Sequence, residues 1–376
     1  MSAAVLTTHV GSLPGPDVFQ IDAPDAEITN SVAWVVEKQR AIGIDLVNEG
    51  ELTKGGDWLA YADTRFGGFE ERETPSGFVS IMMKGKDREE FAEFYAFAAK
   101  RRTLFFEDGR MAPKRPQWLC TGPITYRREM LDRGLKIFRD VVGPNTDDCF
   151  FTSTAPASLE PYRFNSYYKT EEEFLFALAD ALAVEYRAIA DAGFQVQVDD
   201  AWLVALWDRL GPELGLEGFR KRSALRIEAL NHALKGIPEE RVRYHLCWGS
   251  WHGPHKHDLP MADIVDLMLE VKAKYYLFEA ANVRHEHEHQ VWEKTKLPAG
   301  KVLVPGCVTH STDLVEHPEL VRNRVLRYAK LVGAENVIAG TDCGFGGRIH
   351  PQLAWAKLEA LAEGARLANA QLQGKS

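Results

Sequence analysis

Cysteine is scarce in this 376-residue sequence: there are five, Cys120, Cys149, Cys247, Cys307 and Cys343. The number is odd, the spacing is wide, and the chain is long enough to hold a core without covalent staples. Reduced thiols or metal ligands are therefore expected rather than disulfides. Long apolar runs are missing too; the longest are strand-sized, which excludes a membrane-spanning helix. Residues Met1 to Val10 carry neither the positive charge nor the apolar core of a signal peptide, so the expected location is cytoplasmic. Basic charge is not in excess, since 45 Lys plus Arg stand against 54 Asp plus Glu, a net charge of −9. With no basic stripe to track phosphates, neither nucleic acid nor a membrane surface is an expected partner. There is also no low-complexity tract, no Pro/Ser-rich linker and no repeat of solenoid period.

What the sequence does have is the mix of a folded chain, 45% hydrophobic and 26% charged, and an alternation of strand-like and helix-like segments. Short apolar, β-branched runs recur at Ala4–Val10, Ile44–Val47, Trp118–Cys120, Phe194–Val198, Val242–Cys247, Tyr275–Phe278, Lys301–Val304 and Asn336–Ala339. Between them lie amphipathic helices with clear ends. Thr170 followed by Glu171, Glu172 and Glu173 is a capping box; Leu175, Leu178, Leu182, Tyr186 and Ile189 form one stripe; Gly193 stops it. Pro318, the stripe Val321, Val325, Tyr328 and Val332, and Gly333 repeat that grammar. Eight strands so arranged predict an α/β fold: a single (β/α)8 TIM-type barrel spanning residues 1–376, with residues 52–117 inserted between the second and third strands. A doubly wound open sheet is the alternative.

In such a barrel, reactive groups sit at the C-terminal strand ends. There, His245 and Cys247 are two residues apart, which on an extended chain projects both to one face. Glu279 ends the sixth strand and Cys343 the eighth. Nitrogen, two sulfurs and an oxygen make a donor set that suits Zn²⁺ and excludes Mg²⁺ or Ca²⁺. Structural zinc sites usually draw on closely spaced pairs, whereas these four come from three separate strands, as a catalytic metal at a barrel mouth would require. A buried cysteine packed beside a histidine is the competing explanation for the pair alone.

These motifs, together with Thr7-Thr8-His9-Val10-Gly11-Ser12-Leu13-Pro14, Asn48-Glu49-Gly50-Glu51, Thr121-Gly122-Pro123-Ile124-Thr125, Val196-Gln197-Val198-Asp199-Asp200, Thr309-His310-Ser311 and Asp342-Cys343-Gly344, carry a resemblance. The chain resembles the catalytic C-terminal barrel of cobalamin-independent methionine synthase. It is similar also to the short single-barrel members of that zinc thiol-alkyltransferase family, which include epoxyalkane:coenzyme M transferases. The resemblance implies His245, Cys247, Glu279 and Cys343 as zinc ligands, with the thiol substrate bound as a thiolate and Glu279 the weakest ligand. It implies that Val10, Gly11 and Ser12 hold an amino acid's carboxylate and that Glu51 and Asp199 hold its ammonium. His9 is a further candidate for binding. His310 and Asp199 are the candidate catalytic residues, His310 protonating the leaving group, a task that an imidazole of ordinary pKa suits.

Read without the family, Glu51 pairs or caps near its loop, Asp199-Asp200 forms a helix N-cap, His310 is a solvated loop residue and His9 a hydrogen-bonded interior group. His252, His255 and His257, and the run Arg284-His285-Glu286-His287-Glu288-His289, are expected to be a lid and an exposed charged helix start rather than a second metal site. The resemblance thins at Asp199-Asp200-Ala201-Trp202, where methionine synthases read Asp-Glu-Pro-Ala, and after Cys343. The expected activity is zinc-dependent methyl transfer to homocysteine. The alternative is epoxide opening by coenzyme M, whose sulfonate needs a cation such as Arg348. From other classes come a zinc- or thiol-binding protein without turnover and a zinc hydrolase. The alkyl donor stays open among a folate, a methylcorrinoid protein and an epoxide, and a homo-oligomer is possible.

Overall fold

The computed structural model describes residues 4–17, 21–73, 80–101 and 117–374. Seven parallel strands form its main sheet. In spatial order they are Leu6–Thr7, Ile338–Thr341, Val302–Val308, Tyr275–Phe278, Val242–Leu246, Gln195–Asp200 and Phe150–Thr154. The two edges are bridged by a short extended segment. Leu46 N donates to Thr7 O at 3.0 Å on one side, while Val47 N donates to Asp148 O at 2.9 Å and Phe150 N to Val47 O at 3.0 Å on the other. Backbone groups that an open edge would leave unpaired are satisfied there.

The helices follow their sequence signals. Glu171–Asp191 starts at Thr170, whose hydroxyl accepts from Glu173 N at 3.0 Å, and it buries Leu175, Leu178, Leu182, Tyr186 and Ile189. Pro318–Val332 has proline in its first turn and stops at Gly333, whose φ of 90° a side chain would oppose. Six of the expected strands lie in the main sheet with ends shifted by no more than four residues, and Tyr275–Phe278 is unshifted. Residues 44–47 enter only through their bridges.

One strand is corrected. Trp118–Cys120 belongs to Gln117–Tyr126, which runs antiparallel to Phe66–Arg72 and parallel to Arg163–Asn165 in a separate three-stranded sheet. The main sheet uses Phe150–Thr154 instead, paired with Gln195–Asp199. An apolar aromatic run looks the same in either setting, and Thr152-Ser153-Thr154 reads as a loop until its burial and pairing are seen. The excursion before this strand therefore reaches past the expected 52–117, of which 74–79 and 102–116 lie outside the described residues.

Side-chain alternation sets up the site. Val196 and Val198 join the main hydrophobic core, so Gln197 and Asp199 share the opposite face. The register pairs Gln197 with Arg243 and Asp199 with His245 on the next strand.

Glu185, buried on Glu171–Asp191, ties the smaller sheet to this frame. It accepts from Tyr126 Oη and Ser153 Oγ at 2.7 Å each and pairs with buried Arg65 at 2.9 Å. Glu185→Ala leaves that guanidinium uncompensated and is expected to lower the unfolding free energy by about 3–5 kcal/mol in a denaturant titration. A loss of well under 1 kcal/mol would show that the pair does not hold the sheets together.

Candidate functional site

His245 and Cys247 leave the end of Val242–Leu246, and Cys343 follows Ile338–Thr341. Their donor atoms lie within 4.8 Å of one another, all three residues buried, and no second such group exists among the described residues. His245 Nδ1 is 3.0 Å from Asp199 Oδ1, while its Nε2 is buried without a partner. The carboxylate holds a proton on Nδ1 and leaves Nε2 as the nitrogen a metal would meet, displacing the proton that the metal-free imidazole carries there. A buried polar atom left so is costly unless something occupies it. An imidazole nitrogen and two sulfurs fit zinc in softness and in number, with room for a further ligand.

The thiols share a proton. The Cys247 S–H pushes Cys343 down to about 6 against the effect of burial, with His245 and Arg348 adding their positive potential. The same sharing, with burial, pushes Cys247 up. Burial opposes charge on His245, yet the hydrogen bond to Asp199 outweighs it and lifts the imidazole to about 9.

Glu279 does not join the three. Its carboxylate accepts from Trp248 N at 3.1 Å and from Asn282 Nδ2 at 2.8 Å, and burial pushes it up to about 8. The loop after it is fastened to the neighbouring strand end by Asp342, which accepts from Ala280 N at 2.7 Å and Ala281 N at 2.8 Å. Asp342 thereby sets Glu279 and Cys343 in fixed relation.

The segment Val10 to Ser12 is clamped from three sides. Val10 N donates to Thr341 Oγ1 at 3.1 Å, Val10 O accepts from Gln197 Nε2, and Ser12 O accepts from Phe345 N at 2.8 Å. Among the described residues, Gly11 N and Ser12 N donate to no protein acceptor. Glu51 sits nearby with φ 62°, its Oε1 accepting from Thr152 Oγ1 at 2.5 Å.

Sequence reasoning passed over Lys54 and Thr152. The Lys54 ammonium is buried, donates to Thr152 O at 2.9 Å, and lies 3.6 Å from Glu51 and 3.9 Å from Glu49. The spacing Glu51 to Lys54 was the available signal. Thr152 was hidden with its strand.

The histidines divide. His310 is buried, not solvated, and burial, with the positive potential of Arg348 and His255 nearby, holds it well below the usual imidazole value. The ordinary pKa expected of it is thereby corrected; it is neutral at pH 7. His9 contacts Gln39 Oε1 at 2.7 Å and the Phe150 ring, and burial pushes it to about 3; it is not part of the His245 group. His285 is buried rather than an exposed helix start, bridging Asp258 at 3.1 Å and Glu288 at 2.7 Å. In the loop Trp248 to Asp258, Trp251 stacks on both Trp202 and His255.

Gly11 has no room for a side chain: a Cβ there meets Thr152 Cγ2 at 2.8 Å and Glu51 Oε1 at 3.1 Å. Gly11→Ala is expected to cost about 1–3 kcal/mol of stability by denaturant titration. Wild-type stability would show that this approach is not tight.

No protein-family model matches the chain. A methionine synthase of Saccharolobus islandicus is 24% identical over 233 residues, 61% of each chain. That of Saccharolobus solfataricus is 24% identical over 255 residues, 67% of each, and that of Thermococcus kodakarensis 24% over 226 residues, 59% of each. The match thus spans about three fifths of the length of the first of these relatives. Among solved structures, a B12-independent methionine synthase from Shewanella sp. W3-18-1, in complex with selenomethionine, superposes with a TM-score of 0.72 at 18% identity, covering 99% of this chain and 100% of that one. A Listeria monocytogenes protein described as a vitamin-B12-independent methionine synthase gives 0.60 at 17% identity, over 97% and 98%. The resemblance read from the sequence stands: the curated relatives of this chain are methionine synthases, and its fold is that of its B12-independent methionine synthase neighbours.

Proposed function

We propose that this chain is a zinc-dependent methyltransferase acting on a small thiol, homocysteine above all. We infer with it that the seven strands and residues 44–47 together make one (β/α)8 barrel carrying the site at its C-terminal strand ends. The observation that carries the reading is the buried His245, Cys247 and Cys343 group with Asp199 behind the histidine, in a chain whose relatives are methionine synthases. The Shewanella fold neighbour binds selenomethionine, the selenium form of methionine, which supports homocysteine over coenzyme M as the thiol.

His245, Cys247 and Cys343 would hold the zinc, which supplies the Lewis acidity that lets a thiol lose its proton near neutral pH and stay nucleophilic. Glu279 is the candidate fourth and weakest ligand. The remaining work falls to the chain's own groups. The unpartnered Gly11 and Ser12 amides suit a substrate carboxylate. Glu51 and Asp199 suit its ammonium, and Lys54 limits the repulsion between acids when no substrate is there. Neutral His310 offers an N–H hydrogen bond to the departing group, which stabilises the negative charge developing there; it would deliver a proton only after taking one up from solvent. His9 supports the loop from beneath.

The test is product analysis by mass spectrometry. The zinc-loaded chain is given homocysteine or coenzyme M, each with a methyltetrahydrofolate, methylcobalamin or an epoxide. Methionine from homocysteine and one of the methyl donors is expected. Alkylation of coenzyme M by the epoxide alone would transfer the assignment to the epoxide-opening branch, and no product from any pair would leave a binding protein. Cys343→Ala is expected to lose zinc and turnover together. His310→Asn is expected to keep zinc and slow transfer by about 10²–10⁴-fold; full turnover in His310→Asn would remove its role.

A further inference from the structure

One side chain, Gln197, touches both halves of the site. Its Nε2 donates to Asp199 Oδ1 at 3.0 Å and also to Val10 O. Its Oε1 accepts from Arg243 Nε at 2.9 Å. Arg243 is itself fixed, donating through Nη2 to Thr8 Oγ1 at 3.0 Å and His9 O at 3.1 Å, with its guanidinium 3.9 Å from the centre of the Phe150 ring. Gln197 and Arg243 are fully buried.

The chemistry leaves these groups one arrangement. A guanidinium only donates, so the oxygen of the Gln197 amide must face it and the nitrogen must face the other way. That nitrogen has two hydrogens, and the two groups it meets, a backbone carbonyl and a carboxylate, only accept. Asp199 Oδ1 thus receives one donor from Gln197 and a second from His245 Nδ1, 3.0 Å away. The direction of donation runs from Arg243 through Gln197 to Asp199, where it meets the His245 N–H.

We propose that Gln197, oriented by Arg243, is a positioning residue that aligns the metal ligand His245 through Asp199 and the substrate segment Val10 to Ser12 through Val10 O. This rests on the zinc reading above. Neither residue touches the metal or the thiol. An amide turned or removed would free the Asp199 carboxylate to rotate, tilt the imidazole from the two sulfurs, and release the carbonyl that precedes the unpartnered Gly11 and Ser12 amides. The coupling is built into the sheet, because the register sets Gln197 beside Arg243 and Asp199 beside His245, with two-residue alternation on each strand.

The experiment measures zinc affinity of the full chain by competition with a chromophoric chelator, with zinc alone as the probe. Gln197→Met keeps the volume and removes the amide. It is expected to weaken zinc binding by about 10–100-fold, the usual scale for losing an outer partner of a metal ligand. In an Asp199→Asn background the same substitution is expected to add less than about twofold, since its route to the metal is gone. Arg243→Lys keeps the buried cation but not the fork that orients the amide, and it serves should Gln197→Met not fold; it is expected to weaken zinc in the same direction. Wild-type affinity in folded Gln197→Met or Arg243→Lys would overturn the proposal. So would an equal loss with and without Asp199, which is what a packing defect produces. A wild-type chain that takes up no zinc would sink the metal reading and this inference with it, whereas normal wild-type uptake with silent variants sinks this inference alone.

Discussion

The hydrogen bond between His245 and Asp199 decides what the strand ends can hold. At 3.0 Å it puts the imidazole proton on Nδ1, and the orphaned Nε2 becomes a donor atom beside two thiols. Without that carboxylate the ring could adopt either tautomer, and the two sulfurs would share their proton without any reason to part with it. With it, three soft or borderline donors from two strand ends, far apart in sequence, form one buried group.

Burial supplies both the strength and the hazard of the site. Acids, thiols and imidazoles out of water are pushed toward their neutral forms, as Glu279, Cys307 and His310 show. The molecule counters this locally. Asp342 is held by two backbone amides, Lys54 stands among Glu49, Glu51 and Thr152, and Glu279 accepts from Trp248 N and Asn282. Among the buried atoms still without a partner are His245 Nε2 and His310 Nδ1, and with the Gly11 and Ser12 amides they are groups that a metal and a substrate could satisfy.

Much of this was legible in the sequence, for identifiable reasons. The two-residue spacing of His245 and Cys247 survives because a strand enforces it, and Cys343 was found because strand ends are where such groups gather. The helix from Glu171 to Asp191 announced itself by its cap and stripe. Phe150–Thr154 was missed because its polar half imitates a loop, and Thr152 was lost with it; Trp118–Cys120 took its place because an apolar run does not reveal which sheet it joins. The His285 run was read as exposed from its alternating charge, and His310 was solvated only when read without the family; both are buried, and burial is a tertiary property. Gln197 and Arg243 drew no attention for their roles because nothing in a single sequence reports the register between two strands.

The most direct test of the central claim is X-ray absorption at the zinc edge of the purified, zinc-loaded chain, before and after homocysteine. The account predicts two sulfurs at about 2.3 Å with nitrogen or oxygen neighbours at about 2.0–2.2 Å, and a third sulfur once the thiol is added. A shell of nitrogen and oxygen alone, or a sulfur count that homocysteine leaves unchanged, would contradict it.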